Sequence, residues 1–156
     1  MSLLRNGTVH VSAKTDYALR AMVELAAVGP GGSMAAHAIA NRQGIPLSFL
    51  LNILADLRRS GMIESRAGAH GGWWLEPPAE EITVADVIRA VDGPLVGPTA
   101  SRHRPTTDRE INQVLDELWR AVGVGIVDIL EHTTIASLLP AGWREHHQNA
   151  ATQFAC

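Results

Sequence analysis

Groups suited to an anionic polymer cluster in the first half of the chain. Lys14, Arg58, Arg59 and Arg66 supply positive charge, and Thr15, Tyr17 and Ser48 place hydroxyl groups beside them. Such groups neutralise and orient phosphate oxygens. Asn52 adds a different chemistry, because a side-chain amide can pair with both N6 and N7 of adenine. Ser48 can donate or accept next to it, and Leu51 or Phe49 can touch a thymine methyl. Arg66 and His70 belong to a glycine-rich stretch, Arg66 to Gly72, and suit a narrow minor groove. Each of these residues also has a plainer reading. Phe49 can be partly core, Arg58 and Arg59 can be a solvated helix end favourable to the helix dipole, and the glycine stretch can be an ordinary hairpin turn.

Catalytic and metal-binding chemistry finds less support. Gly29 to Ser33 lacks the Gly-Lys-Ser/Thr ending of a phosphate loop, and Gly123 and Gly125 fall inside a helical pattern. No nucleophile has a base at interpretable spacing. The one cysteine, Cys156, is the last residue, so no intrachain disulfide and no cysteine cluster can form within one chain. His146-His147 is a weak metal pair at most, and Glu80-Glu81 and Asp116-Glu117 read as exposed charges. The expectation is a non-enzyme with no metal and no cofactor.

With 156 residues, the chain has the length of one domain plus an appended element. Apolar residues make up 46% and charged residues 19%, a globular balance, and the scarcity of aromatics implies an aliphatic core. Net charge is −3, but residues 1–75 carry 7 basic and 4 acidic groups whereas residues 76–156 carry 6 and 12. The total therefore conceals a basic half that contains all the candidate phosphate contacts. Arg outnumbers Lys by 12 to 1, favouring forked donors. No stretch approaches membrane-spanning length and no signal-peptide pattern opens the chain, so the expected location is cytoplasmic.

These groups must be positioned by a small set of elements. The spacing of Tyr17, Ala18, Ala21, Met22, Leu25 and Ala26 predicts a helix from Ser12 to Val28, ended by Gly29 to Gly32. Ser33 is expected to cap a short helix running through Gln43, with Met34, Ala38 and Ile39 inward. After Gly44, Leu47 to Ser60 presents Leu50, Ile53, Leu54 and Leu57 inward and leaves Ser48, Asn52, Asp56 and Arg59 outward. Strands are expected at Met62 to Ser65 and Trp73 to Leu75, joined by a glycine-rich loop. Helix, helix, hairpin is the order of a winged helix, with the third helix in the major groove. A fourth helix, Thr83 to Val91, should bury Val84, Val87, Ile88 and Val91 and brace the wing. Asp92 to Thr107 reads as a loop. From Asp108 to about His132, the residues Ile111, Leu115, Leu118, Val122, Ile126 and Ile129 form a coiled-coil-like seam. That seam needs a partner, either the same helix of a second copy or the first helix of its own chain. Thr133 to Pro140 could form a short closing helix, and the tail beyond Ala141 reads as frayed.

Several segments, in order over residues 11–140, resemble the Rrf family of bacterial winged-helix transcription regulators. Ser12 to Ala21 is similar to the family's opening run, and Ile39 to Pro46 with Phe49-Leu50 to its helix-turn-helix. Ser65, Gly68, Gly71-Gly72-Trp73 and Leu75 resemble its wing signature; Ile82 to Ile88 with Val91-Asp92-Gly93 resembles its fourth helix. The long helix with Thr134 to Leu139 resembles its dimerisation region. The resemblance implies a mainly α fold with a small β wing and a long C-terminal dimerisation helix. It divides the chain into a DNA-binding unit at 1–92, a linker at 93–107, a dimerisation helix and closing helix at 108–140, and a tail at 141–156. It further implies a homodimer bound to a two-half-site operator on double-stranded DNA, as a repressor in preference to an activator.

Cluster-sensing members carry three cysteines between the fourth and long helices. Here that stretch holds none, and His103 stands between Arg102 and Arg104, a poor cluster or metal site. The wing's usual arginine falls at Ala67, and Leu51 replaces a glutamate of cluster-sensing relatives, so a different operator is expected. A small ligand or protein effector could bind between the Trp73-Trp74 pair and the long helix. The competing reading is a protein-interaction module built on a winged-helix scaffold with an acidic C-terminal half.

Overall fold

The structure is a computed structural model describing residues 11–95 and 109–143. Helix α1 (Ala13–Val28) starts where Ser12 accepts a hydrogen bond from the Thr15 backbone N–H at 3.0 Å, and ends at Gly29. Its faces bury Ala18, Ala21, Met22 and Leu25, small and aliphatic residues that let other helices approach closely. Helix α2 (Ala36–Gln43) stops at Gly44, whose φ of 64° is the left-handed conformation favoured at a helix end. Helix α3 (Leu47–Arg59) follows after a short turn and buries the expected stripe of Leu50, Ile53, Leu54 and Leu57.

The wing consists of β1 (Ile63–Arg66) and β2 (Gly72–Leu75), antiparallel with Ile63 opposite Leu75 and Arg66 opposite Gly72. Residues before α2 extend this sheet, which corrects the expected start of that helix. Met34 and Trp73 exchange backbone hydrogen bonds of 2.9 and 2.8 Å, so Met34 is extended and belongs to the wing. Ser33 does not cap α2; its hydroxyl donates to the Gly71 carbonyl at 3.3 Å, and Ala35 stands at the N-cap without a side-chain bond. A Cβ on Gly72, whose φ is 141°, would meet the Met34 backbone at 3.0 Å, and one on Gly71 would lie 2.0 Å from the Arg66 carbonyl oxygen. Gly71 is therefore required by the hairpin's own closure and Gly72 by the close approach of the Met34 segment.

Helix α4 (Val84–Asp92) opens with a capping box, Thr83 and Asp86 each bonding the other's backbone N–H at 3.1 and 3.0 Å. Ala85 is buried where Ile88, expected inside, is half-buried. Its principal neighbours are α1, α3 and the long helix α5 (Arg109–His132), not the wing that it was expected to brace. Beyond α5 the chain returns to the core. Thr134 pairs with Thr83, the Ile135 N–H donates to the Ile82 carbonyl at 2.8 Å, and the Ile135 side chain is fully buried. The expected closing helix is a single 3-10 turn, Ala136–Leu138. The core is one aliphatic cluster drawn from α1 to α4, the β1 start, Ile82 and Ile135. No helix among the described residues is long and apolar enough to cross a membrane. The expected linker beyond residue 95, with His103, and the tail beyond residue 143 lie outside the described residues.

Candidate nucleic-acid interface

Burial of one stripe of α3 forces its opposite face outward. Leu47, Ser48, Leu51, Asn52 and Ala55 are all exposed, and Arg58 and Arg59 occupy the last turn. Ser48 and Asn52 make no side-chain hydrogen bond within the described residues, so their polar groups are open to a partner. Phe49 is 39% exposed and stands edge-on to Tyr17 of α1, with ring centroids 5.8 Å apart and planes at 82°. The two aromatics thus brace one another at the α1–α3 junction. Arg58 pairs with Glu64 of β1 at 3.4 Å and Arg59 pairs with Asp56; both are exposed contacts of the kind that exchange readily for phosphate. Arg66, at the end of β1, and His70, in the wing loop, are exposed and have no ion-pair partner within the described residues. The candidate readers on α3 and the candidate contacts on the wing are therefore all presented to solvent.

Lys14 and Thr15, expected at phosphate, are placed differently. The Lys14 ammonium lies 2.7 Å from the Asp56 carboxylate of α3 and donates to the Val91 carbonyl of α4 at 2.7 Å. Thr15 is buried, and its hydroxyl donates to the Asp92 carboxylate at 2.5 Å; the Ser12 hydroxyl donates to the same oxygen. Both residues act inside the fold, because the start of α1 lies against the end of α4 and the outer flank of α3. Burial by itself would raise the Asp92 pKa, but the Ser12 and Thr15 hydrogen bonds and the Lys14 charge outweigh it and hold the carboxyl below its ordinary value of 3.8. A second tie joins α1 to α2: the buried Glu24 carboxylate accepts from Gln43 Nε2 at 2.5 Å and lies 3.4 Å from Arg42 Nε.

Sequence reading missed these ties. Asp56 and Asp92 look like solvated acids until the fold brings α1, α3 and α4 together. Leu47 was also missed, although a signal existed, since it lies one helical turn before the outward Leu51.

The long helix shows its apolar seam to solvent. Ile111 is 56% exposed, Ile129 is 65%, and Leu115 and Leu118 are exposed, while Val122 and Ile126 are half-buried. Its packing partner is α4, reinforced by an Arg89–Glu131 ion pair, so the alternative of a fold-back on the first helix does not describe this arrangement. Gly123 is the buried residue of α5 within the single chain, while a Cβ on Gly125 would meet nothing within 4 Å.

The tryptophan pair divides as strand alternation requires. Trp73 packs on the core, and Trp74 lines a cleft of about 350 Å³ with Leu25, Gly29, Pro77 and Glu80. That cleft lies at the base of the wing beside the end of α1. Among the described residues no group of three His, Cys, Asp or Glu could hold a metal ion.

The family model Rrf2, described as an iron-dependent transcriptional regulator, matches residues 11–141. A Mycobacterium tuberculosis protein provisionally designated an HTH-type transcriptional regulator is 36% identical over 152 residues, covering 94% of this chain and 91% of its own. The HTH-type transcriptional regulator IscR of Pectobacterium atrosepticum is 33% identical over 131 residues, covering 84% and 79%. Among solved structures, CymR, the global cysteine regulator of B. subtilis, superposes with a TM-score of 0.70 at 27% identity, over 84% of this chain and 96% of that one.

Proposed function

The chain belongs to the Rrf2 family of transcriptional regulators, and from that membership we propose a homodimeric, sequence-specific DNA-binding repressor acting in the cytoplasm without a cysteine-ligated iron-sulfur cluster. The observation that carries the reading is the outward face of α3. A rigidly held helix presents Ser48, Leu51 and Asn52 to solvent with Arg58 and Arg59 at its end, while the wing offers Arg66 and His70. The α3 residues contact bases and the arginines neutralise phosphate, with Phe49 and Tyr17 bracing the first turn of α3. Lys14 and Thr15 serve this surface indirectly, by fixing α3 against α1 and α4.

The working division of the chain is a DNA-binding unit at 1–92, a linker at 93–107 and a dimerisation helix from 108, with the segment around Ile135 rejoining the first unit. The seam of Ile111, Leu115, Leu118, Val122, Ile126 and Ile129, exposed except at the half-buried Val122 and Ile126, supports an isologous dimer. A twofold axis through α5 sets the two α3 helices about 34–36 Å apart, in successive major grooves. Occupancy of a promoter by such a dimer excludes polymerase, which is the simplest route to repression. Cluster chemistry lacks its ligands: Cys156 is the only thiol, and the stretch before α5 has His103 alone.

Selection of bound duplexes from random DNA by the purified dimer, followed by salt titration on the enriched duplex, tests the reading. Enrichment of a two-half-site sequence whose affinity falls steeply with salt is expected. No enrichment above random DNA would favour the protein-interaction module instead.

A further inference from the structure

Within the reading of α3 as the DNA-reading helix, we propose that its sequence preference rests chiefly on thymine 5-methyl groups, contacted by Leu47 and Leu51. Scattered exposed leucines are ordinary on protein surfaces. These two are not scattered. Leu47 is 44% exposed and Leu51 45% exposed, and they stand one turn apart on the same outward face, with exposed Ala55 continuing the line. They fall in the first two turns of α3, the part of a recognition helix that reaches base edges. Phe49, the other exposed apolar residue there, is engaged with Tyr17 in a T-shaped ring contact within the chain.

The residues absent from this patch decide the argument. From Leu47 to Leu54 no side chain is charged, so the reading turns hold no Arg or Lys to pair with guanine O6 and N7 and no Asp or Glu to accept from cytosine N4. The first charged side chain, Asp56, is engaged by Lys14 and Arg59, and Arg58 and Arg59 lie in the last turn. The hydrogen-bonding reader left at the front is Asn52, which suits adenine, with Ser48 beside it. Amide to adenine and leucine to thymine methyl select the same base pair from its two sides. The half-site is therefore rich in A·T pairs read in the major groove.

The full-length protein is used to select duplexes from random DNA, and the enriched duplex is resynthesised with deoxyuridine in place of thymidine. Burial of one methyl group corresponds to about a fourfold change in affinity, so that loss is expected for each contacted methyl removed. Leu51→Ala and Leu47→Ala, substitutions at exposed positions, should each bind the thymidine duplex more weakly and show a reduced penalty for deoxyuridine. An enriched half-site dominated by G·C pairs, or equal affinity for the thymidine and deoxyuridine duplexes, overturns the inference while leaving sequence-specific binding intact. A penalty unchanged in both leucine variants also overturns it, because the penalty then reflects duplex shape. Failure to enrich any sequence would instead remove the DNA-binding reading on which this inference rests.

Discussion

Lys14 is the only lysine of the chain, and the fold places it among three helices. Its ammonium joins Asp56 of α3 to the Val91 carbonyl in the last turn of α4, one residue from Asp92, which gathers the Ser12 and Thr15 hydroxyls. A carboxyl whose folded pKa lies below its unfolded value contributes stability that is present above the unfolded pKa and lost as pH falls through the folded one. Asp92 is of this kind. Thermal unfolding of Asp92→Asn should therefore be below wild type near neutral pH, with the gap closing as pH falls below about 4. A gap independent of pH would place the effect in packing. At the proposed reading surface, Asn52→Ala should cost about 1–3 kcal/mol on the enriched duplex and little on random DNA, whereas Arg58→Ala should weaken both alike. Binding isotherms on the two duplexes separate these outcomes.

At the scale of elements, α5 and the wing make different demands. Leu118 is exposed in the single chain, so Leu118→Glu should leave the winged-helix core folded and remove the proposed dimer. Loss of the second half-site contact then lowers operator affinity by about a hundredfold or more, measured beside the sedimentation mass. In the wing, Gly72→Ala places a Cβ against the Met34 backbone at positive φ, and a loss of about 1 kcal/mol or more in denaturant unfolding is expected. The elements themselves were largely legible. The stripe of Leu50, Ile53, Leu54 and Leu57 defined α3 because one-sided burial writes itself into helical spacing. The start of α2 was not legible, since Ser33 is a good cap by type and only the pairing of Met34 with Trp73 pulls it into extended structure. Position 88 misled for a related reason: α4 packs closely on its neighbours, and a small Ala85 fits where a periodic count favours Ile88.

For the whole molecule, the charge asymmetry acquires a spatial meaning. All the proposed phosphate contacts, Arg58, Arg59 and Arg66, lie in the basic first half, and α4 and α5 carry much of the acidic excess. Salt titration of operator binding should give a steep negative slope, and Arg66→Ala should reduce that slope by about 1. Residue types and periodicity alone determined the helix order, the hairpin, the aliphatic core and the outward face of α3, because each depends on local spacing and one-sided burial. Only the tertiary structure decided which polar groups remain available. Lys14, Thr15, Asp56 and Asp92 are distant in sequence and unremarkable by type, and they become internal ties because α1, α3 and α4 converge. Charge and hydrogen-bonding capacity can be read from a sequence, whereas the partner that takes them up is set by long-range packing.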